Sequence, residues 1–127
     1  NDKAKDIKKR VSLINNSNTL IYISIHSNYF PIKNVYGAQV FYKNDSKNEF
    51  LSKSIQKYLN DTNIGNRRVA KEIKDKYITD NIYANGCIVE VGFLSNLEEE
   101  RKLNNDSYQS LVAYCIYLGI LTYLEVN

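Results

Sequence analysis

Residues 20–28 read Leu20-Ile21-Tyr22-Ile23-Ser24-Ile25-His26-Ser27-Asn28, and the first six set the fold class. They are apolar almost throughout and rich in β-branched side chains, the pattern of a strand buried on both faces as in a parallel sheet. Cys87-Ile88-Val89-Glu90-Val91, entered from Asn85-Gly86, repeats that pattern with one charge inside it. Between them Gly37–Tyr42 (GAQVFY) has the aromatic and β-branched content of a further strand.

Outward from these strands the periodicity turns helical. Ile7, Val11 and Ile14 recur at i, i+4 and i+7, so residues 3–14 read as a helix that the run Asn15–Asn18 breaks. Leu51, Ile55 and Leu59 do the same over residues 48–60, behind a capping box made by Ser46 and Glu49. Asn96 stands where it caps a short helix, whose first turn holds Glu98, Glu99 and Glu100 in favourable positions for the helix dipole. Asp106 or Ser107 caps the last helix. The run Tyr108–Leu124 sits at the lower length limit for crossing a bilayer, but it carries four tyrosines with Gln, Ser, Thr and Gly. It reads as a buried helix, and no transmembrane segment is expected. Residues 67–83 are the least regular: Val69 and Ile73 suggest a helical turn, and Tyr77-Ile78 a short strand. The order helix, strand, strand, helix, strand, helix, helix predicts a layered α/β domain.

Composition narrows the function classes. A chain of 127 residues holds one hydrophobic core. Hydrophobic residues at 43% and charged residues at 24% exclude collagen, coiled coil and long disorder. A net charge of +3 permits an anionic partner, but no Lys/Arg stripe runs along a face, so no nucleic-acid role is expected. Cys87 and Cys115 lack the spacing of a disulfide framework or a cysteine zinc site and read as core residues. No cationic start followed by an apolar run opens the chain, so no signal peptide is expected. No Gly-rich phosphate loop is present, which argues against a phosphorylated ligand.

Three features carry chemistry. His26, the single histidine, lies just past a buried strand, where α/β sheets hold their ligands. A lone histidine is more often structural than ligating, and one imidazole cannot build a multi-histidine metal site. Glu90 sits in an apolar strand, where a carboxylate is costly unless it is paired or near a metal. It either faces a solvated edge or pairs with Arg67 or Arg68, or it is a catalytic carboxylate at a strand end. Gly37 permits close backbone approach, and Gln39 after it can turn an amide into a cleft.

Taken together, Ser24-Ile25-His26-Ser27-Asn28, GAQVFY at residues 37–42 and Val89-Glu90-Val91-Gly92-Phe93-Leu94-Ser95-Asn96 closely resemble the zinc-dependent N-acetylmuramoyl-L-alanine amidases of the amidase type 3 family. The Asn66-Arg67 step with Ala70-Lys71 after it, the block Leu97–Leu103 (LEEERKL) and Tyr108-Gln109 look most like its CwlD branch, from endospore-forming bacteria. The likeness runs along essentially the whole chain. It implies a mostly parallel twisted sheet with helices on both faces. In this family two His and one Glu hold zinc and water fills the open position. The resemblance makes His26 the last of those ligands and Glu90 the catalytic carboxylate. Zinc would lower the pKa of its water and polarise the scissile carbonyl, and Glu90 would pass a proton to the departing amine. The bond is the amide joining N-acetylmuramic acid to L-alanine of the peptidoglycan stem. Asn28 and Gln39 are expected to line the substrate cleft. Arg67, with Arg68 and Lys71, could meet a stem carboxylate or form a solvated basic face.

The family's first ligand His lies in a DPGHGG-like loop and its ligand Glu on a following helix, and residues 1–127 contain neither motif. The resemblance therefore implies the C-terminal portion of a single catalytic domain, with the other two zinc ligands upstream. Such a portion bares a sheet edge, which an activator protein or a second copy is expected to cover. It also implies an extracytoplasmic, cell-wall location, between the membranes of the forespore for the CwlD branch, and a role in spore cortex maturation. The alternative is a catalytically inactive wall-binding or regulatory module with the same fold and no zinc.

Overall fold

The computed structural model describes residues 1–127. The elements are α1 (Asp2–Asn16), β1 (Ile21–Asn28), β2 (Gln39–Tyr42), α2 (Ser46–Thr62), β3 (Lys71–Glu72), α3 (Tyr77–Asn81), β4 (Asn85–Phe93), α4 (Leu97–Leu103) and α5 (Asp106–Val126). The strands form one sheet in the order β1-β4-β2-β3. β4 runs parallel to β1 and antiparallel to β2, and β2 runs parallel to β3. The sheet is mixed, with most of its pairings parallel and helices on both faces, so the α/β expectation holds.

Alternation along the strands divides the apolar residues between two layers. Val40 and Tyr42 of β2 and Cys87 and Val89 of β4 face Leu51, Ile55 and Leu59 of α2, with Val112, Cys115 and Ile116 of α5 completing the main core. Leu51, Ile55, Val40 and Val89 are fully buried, each worth roughly 1.5–3 kcal/mol of apolar transfer. On the other face Tyr22 of β1 packs with Val11 of α1 and Ile82, a smaller cluster that leaves part of that face open. β4 is buried from Gly86 to Val89, as its sequence predicts. β1 departs from the two-face burial read from its sequence. It lies at the sheet margin with nothing paired beyond it, and Ile25 is 58% exposed.

Residues 67–83 depart too. Lys71-Glu72 pairs with Phe41-Tyr42 as β3, and Ile73 N–H donates to the Tyr42 carbonyl at 2.8 Å. There is no helical turn there, and Tyr77-Ile78 opens α3 rather than a strand. The outer edge of β2 offers unpaired backbone groups, and satisfying them outweighs the weak local preference of this stretch.

The helix starts are set by Asx side chains. Asp45, not Ser46, caps α2 through hydrogen bonds from Lys47 N–H at 2.9 Å and Asn48 N–H at 3.2 Å. Asn105, not Asp106 or Ser107, caps α5, accepting from Ser107 and Tyr108. Asn96 caps α4 as expected, accepting from Glu99 N–H at 3.1 Å. α5 is long and apolar enough to cross a membrane by length and composition alone. In this fold a stripe through Tyr108, Val112, Cys115, Gly119 and Tyr123 is buried, while Tyr114, Tyr117, Leu121 and Leu124 are exposed.

Candidate active site

Sheet pairing assembles the site. The parallel ladder sets His26 of β1 directly beside Glu90 of β4, and the antiparallel ladder sets Gln39 of β2 on the other flank of Glu90. Residues opposite one another across a ladder share a face, so the three stand in a row on the side that α1 and α3 partly cover. The register slips between His26 and Asn28, an irregularity that re-aims the end of the strand. His26, Asn28 and Glu90, with Phe41 and Ile88, floor an open cleft of about 380 Å³ whose walls come from α1 and the turn between β3 and α3.

The electrostatics single out Glu90. Its Oε2 is buried and has no hydrogen-bond partner. Burial pushes the carboxyl above the usual carboxylate range, and the charges of His26 and Lys76 pull it part of the way back. A carboxylate oxygen held out of water without a donor is an unusual expense for a structural residue. It suits a base that waits for a proton from something entering the cleft. His26 Nε2 shares a 2.7 Å hydrogen bond with Ser24 Oγ, two residues back on the same face, which orients the ring.

The other sequence-derived candidates are placed differently. Gln39 shares the row, but its Nε2 donates to the Val69 carbonyl at 2.8 Å, and the residue does not line the cleft. Arg67 borders a separate recess with Asn34, Val35 and Tyr36. Arg68 donates to the Tyr36 carbonyl through Nε at 2.9 Å and Nη2 at 2.6 Å and stacks over Phe93, so neither arginine pairs with Glu90. The structure thus brings together His26, Asn28 and Glu90, ties up the Gln39 amide, and leaves Arg67 elsewhere. Sequence reasoning missed Lys76, Lys3 and Phe41 as cleft residues. Alternation along GAQVFY could have put Phe41 on the face of Gln39. Nothing periodic marks Lys76, which lies in the irregular turn before α3.

The ends of the strands are held by a short series of bonds. Leu94 N–H donates to the Asn28 carbonyl at 2.7 Å, and Phe30 N–H to Ser95 Oγ at 3.0 Å. The Tyr108 hydroxyl donates to the Val91 carbonyl at 2.7 Å, next to Glu90, and burial pushes its pKa up to about 12.

No three His, Cys, Asp or Glu side chains converge within residues 1–127. What they offer is one imidazole beside one orphaned carboxylate oxygen at an open cleft, a donor set that fits one ligand and one base.

The carboxylate and the imidazole thus stand side by side at neighbouring strand ends of an α/β sheet. The family model described as N-acetylmuramoyl-L-alanine amidase matches residues 1–122, and the chain belongs to this family. It is 43% identical over 122 residues to the germination-specific N-acetylmuramoyl-L-alanine amidase of Bacillus subtilis (strain 168), covering 95% of this chain and 52% of the relative. The fold is similar to the CwlD amidase from Clostridioides difficile, solved in complex with the GerS lipoprotein, with a TM-score of 0.93 and 37% identity over 98% of this chain and 64% of that one. It is also similar to the catalytic domain of CwlV, an N-acetylmuramoyl-L-alanine amidase from Bacillus (Paenibacillus) polymyxa var. colistinus, with a TM-score of 0.83 and 27% identity, over 95% and 66% of the two chains. The chain spans about half the length of the curated relative it matches.

Proposed function

We propose that this chain is the C-terminal portion of a zinc-dependent amidase domain that cuts the bond between N-acetylmuramic acid and L-alanine in peptidoglycan. The observation that carries the reading is the pairing of His26 with Glu90, whose Oε2 is buried and unpartnered. His26 would supply one zinc ligand, and the other two protein ligands would come from upstream of residue 1. Zinc, when bound, activates water and polarises the scissile carbonyl. Glu90 takes the proton from the attacking water and delivers it to the nitrogen as the C–N bond breaks. The lactyl group leaves as a carboxylate and L-alanine as a free amine. Asn28, which lines the cleft floor, would hydrogen-bond the substrate. Gln39 would act by holding the Val69 backbone, and Arg67 by meeting substrate outside the cleft.

Work on peptidoglycan implies a site outside the cytoplasmic membrane, at the cell wall. The likeness to germination-specific relatives supports action on spore cortex, between the membranes of the forespore. The unpaired margin of β1, with Ile25 exposed, suits a covering partner, either an activator protein or a second copy.

The test uses the longest gene product containing residues 1–127. It is expected to bind zinc and release L-alanine amino termini from muropeptides. Glu90→Gln keeps the zinc and lowers kcat by roughly 10²–10⁴. His26→Ala loses the zinc. The lack of a converging ligand set within residues 1–127 favours a second reading, a metal-free wall-binding or regulatory module. A product that binds peptidoglycan, contains no zinc and releases no amine would establish that reading and overturn the first.

A further inference from the structure

The cleft above Glu90 is more basic than its catalytic pair requires. Lys3 and Arg10 of α1 and Lys76 of the β3–α3 turn line it from opposite sides, against one carboxylate, Glu90. Arg10 is already paired with Asp6 at 2.9 Å. Lys76 takes part in none of the ion pairs of the chain, although Lys74 two residues earlier reaches Glu72 at 4.0 Å.

The backbone that carries Lys76 is fixed. Asp75 has φ 61°, the one non-glycine residue in the left-handed region, a conformation that persists only where its surroundings impose it. On one side Ile73 N–H is bound to the Tyr42 carbonyl. On the other, the Lys76 carbonyl accepts from Asp80 N–H at 2.9 Å and from Thr79 Oγ1 at 3.2 Å, and Thr79 is buried. The turn is pinned at both ends, and the ammonium at its crest borders the floor of His26, Asn28 and Glu90.

Resting on the amidase reading above, we infer that Lys76 is a specificity-determining residue that binds a free carboxylate of the stem peptide. That carboxylate belongs to the residue following the alanine whose amide is cut. A lysine held by a pinned backbone on the wall of a cleft, with no ion pair of its own, complements an acidic ligand. Glu90 and Lys76 border the same cleft of about 380 Å³, and two extended residues span about 7 Å. Lys3 adds to the field from the facing helix.

The experiment compares N-acetylmuramoyl-L-alanyl-D-glutamic acid with the same compound carrying an amide in place of the α-carboxyl of glutamate. Both are assayed with the longest gene product containing residues 1–127. The wild-type protein is expected to show a KM about five- to tenfold lower for the free acid at similar kcat. Lys76→Gln, at an exposed side chain, removes that preference by raising KM for the acid relative to the amide, and Lys76→Arg keeps it. If both compounds are cleaved and Lys76→Gln preserves the wild-type ratio, this inference fails and the amidase reading stands. If the wild-type protein cleaves neither compound, the amidase reading fails and this inference goes with it.

Discussion

Glu99 and Glu90 are both carboxylates withdrawn from water, and their partners decide what each does. Glu99 is 4% exposed, and its Oε1 accepts from Gly37 N–H at 2.5 Å and Phe93 N–H at 3.3 Å. Gly37 has φ 110°, a region that other residues rarely adopt, so the bond fixes a turn the backbone would not hold by itself. Through it the start of β2 is tied to the end of β4, on either side of the Glu90 row. Glu99→Gln removes the negative charge but keeps an acceptor oxygen, and Glu99→Ala leaves both donors unpaired. The alanine variant is expected to lose roughly 1.5–3 kcal/mol in urea unfolding with an unchanged m value, and the glutamine variant less. In the sequence Glu98, Glu99 and Glu100 look alike as first-turn acids, and only packing separates the second from its neighbours. Glu90 was legible because a charge inside CIVEV has no cheap explanation. His26 was legible because it follows a strand directly. Lys76 was not, since an isolated lysine in an irregular turn resembles any solvated one.

At the level of elements, α2 and α5 meet most closely where Gly119 crosses Ile55. A Cβ built on Gly119 would lie 2.3 Å from Ile55 Cγ1 and 3.0 Å from its Cα. Ile55 is fully buried and cannot swing aside. Gly119→Ala improves helix propensity by about 1 kcal/mol but overpacks the crossing. Net destabilisation of about 1–2 kcal/mol and a lower Tm in a thermal melt are expected, and a higher Tm would mean the helices separate freely. The helices α1 and α2, by their apolar period, α5, by its long apolar run, and the strands β1, β2 and β4 could be read from the chain. β3 and α3 could not, because their two and five residues are too few to show a period and they form against β2 and α1. The caps at Asp45 and Asn105 lie one residue ahead of the expected ones, since hydrogen-bond geometry and not residue type alone selects among adjacent polar side chains.

Across the whole molecule, several acids are stabilised in their neutral form. Burial pushes Cys87 from about 9.0 up to about 12 and Tyr108 from about 10.0 up to about 12, and raises Tyr22 as well. Each group binds its proton more tightly folded than unfolded, so its stabilising contribution is complete below the unfolded pKa and is lost as pH rises through the folded one. Stability is therefore expected to hold to about pH 9 and to fall between pH 9 and about 12, seen as a decline in Tm. Cys87 and Cys115 are buried and free, so a thiol reagent at pH 8 should label neither in the native protein and both in urea. By itself the sequence determined the layered α/β class, the main helices, the buried strand β4 and the two residues proposed to carry the chemistry. Those features follow from local rules, namely residue period, capping side chains and the cost of a charge in an apolar run. Tertiary structure alone decided which strands lie side by side, and so that His26 faces Glu90, that Gln39 is spent on Val69, and that Lys76 reaches the cleft while Arg67 does not. Strand order and turn packing join residues far apart in the chain, and no local pattern encodes a neighbour sixty positions away.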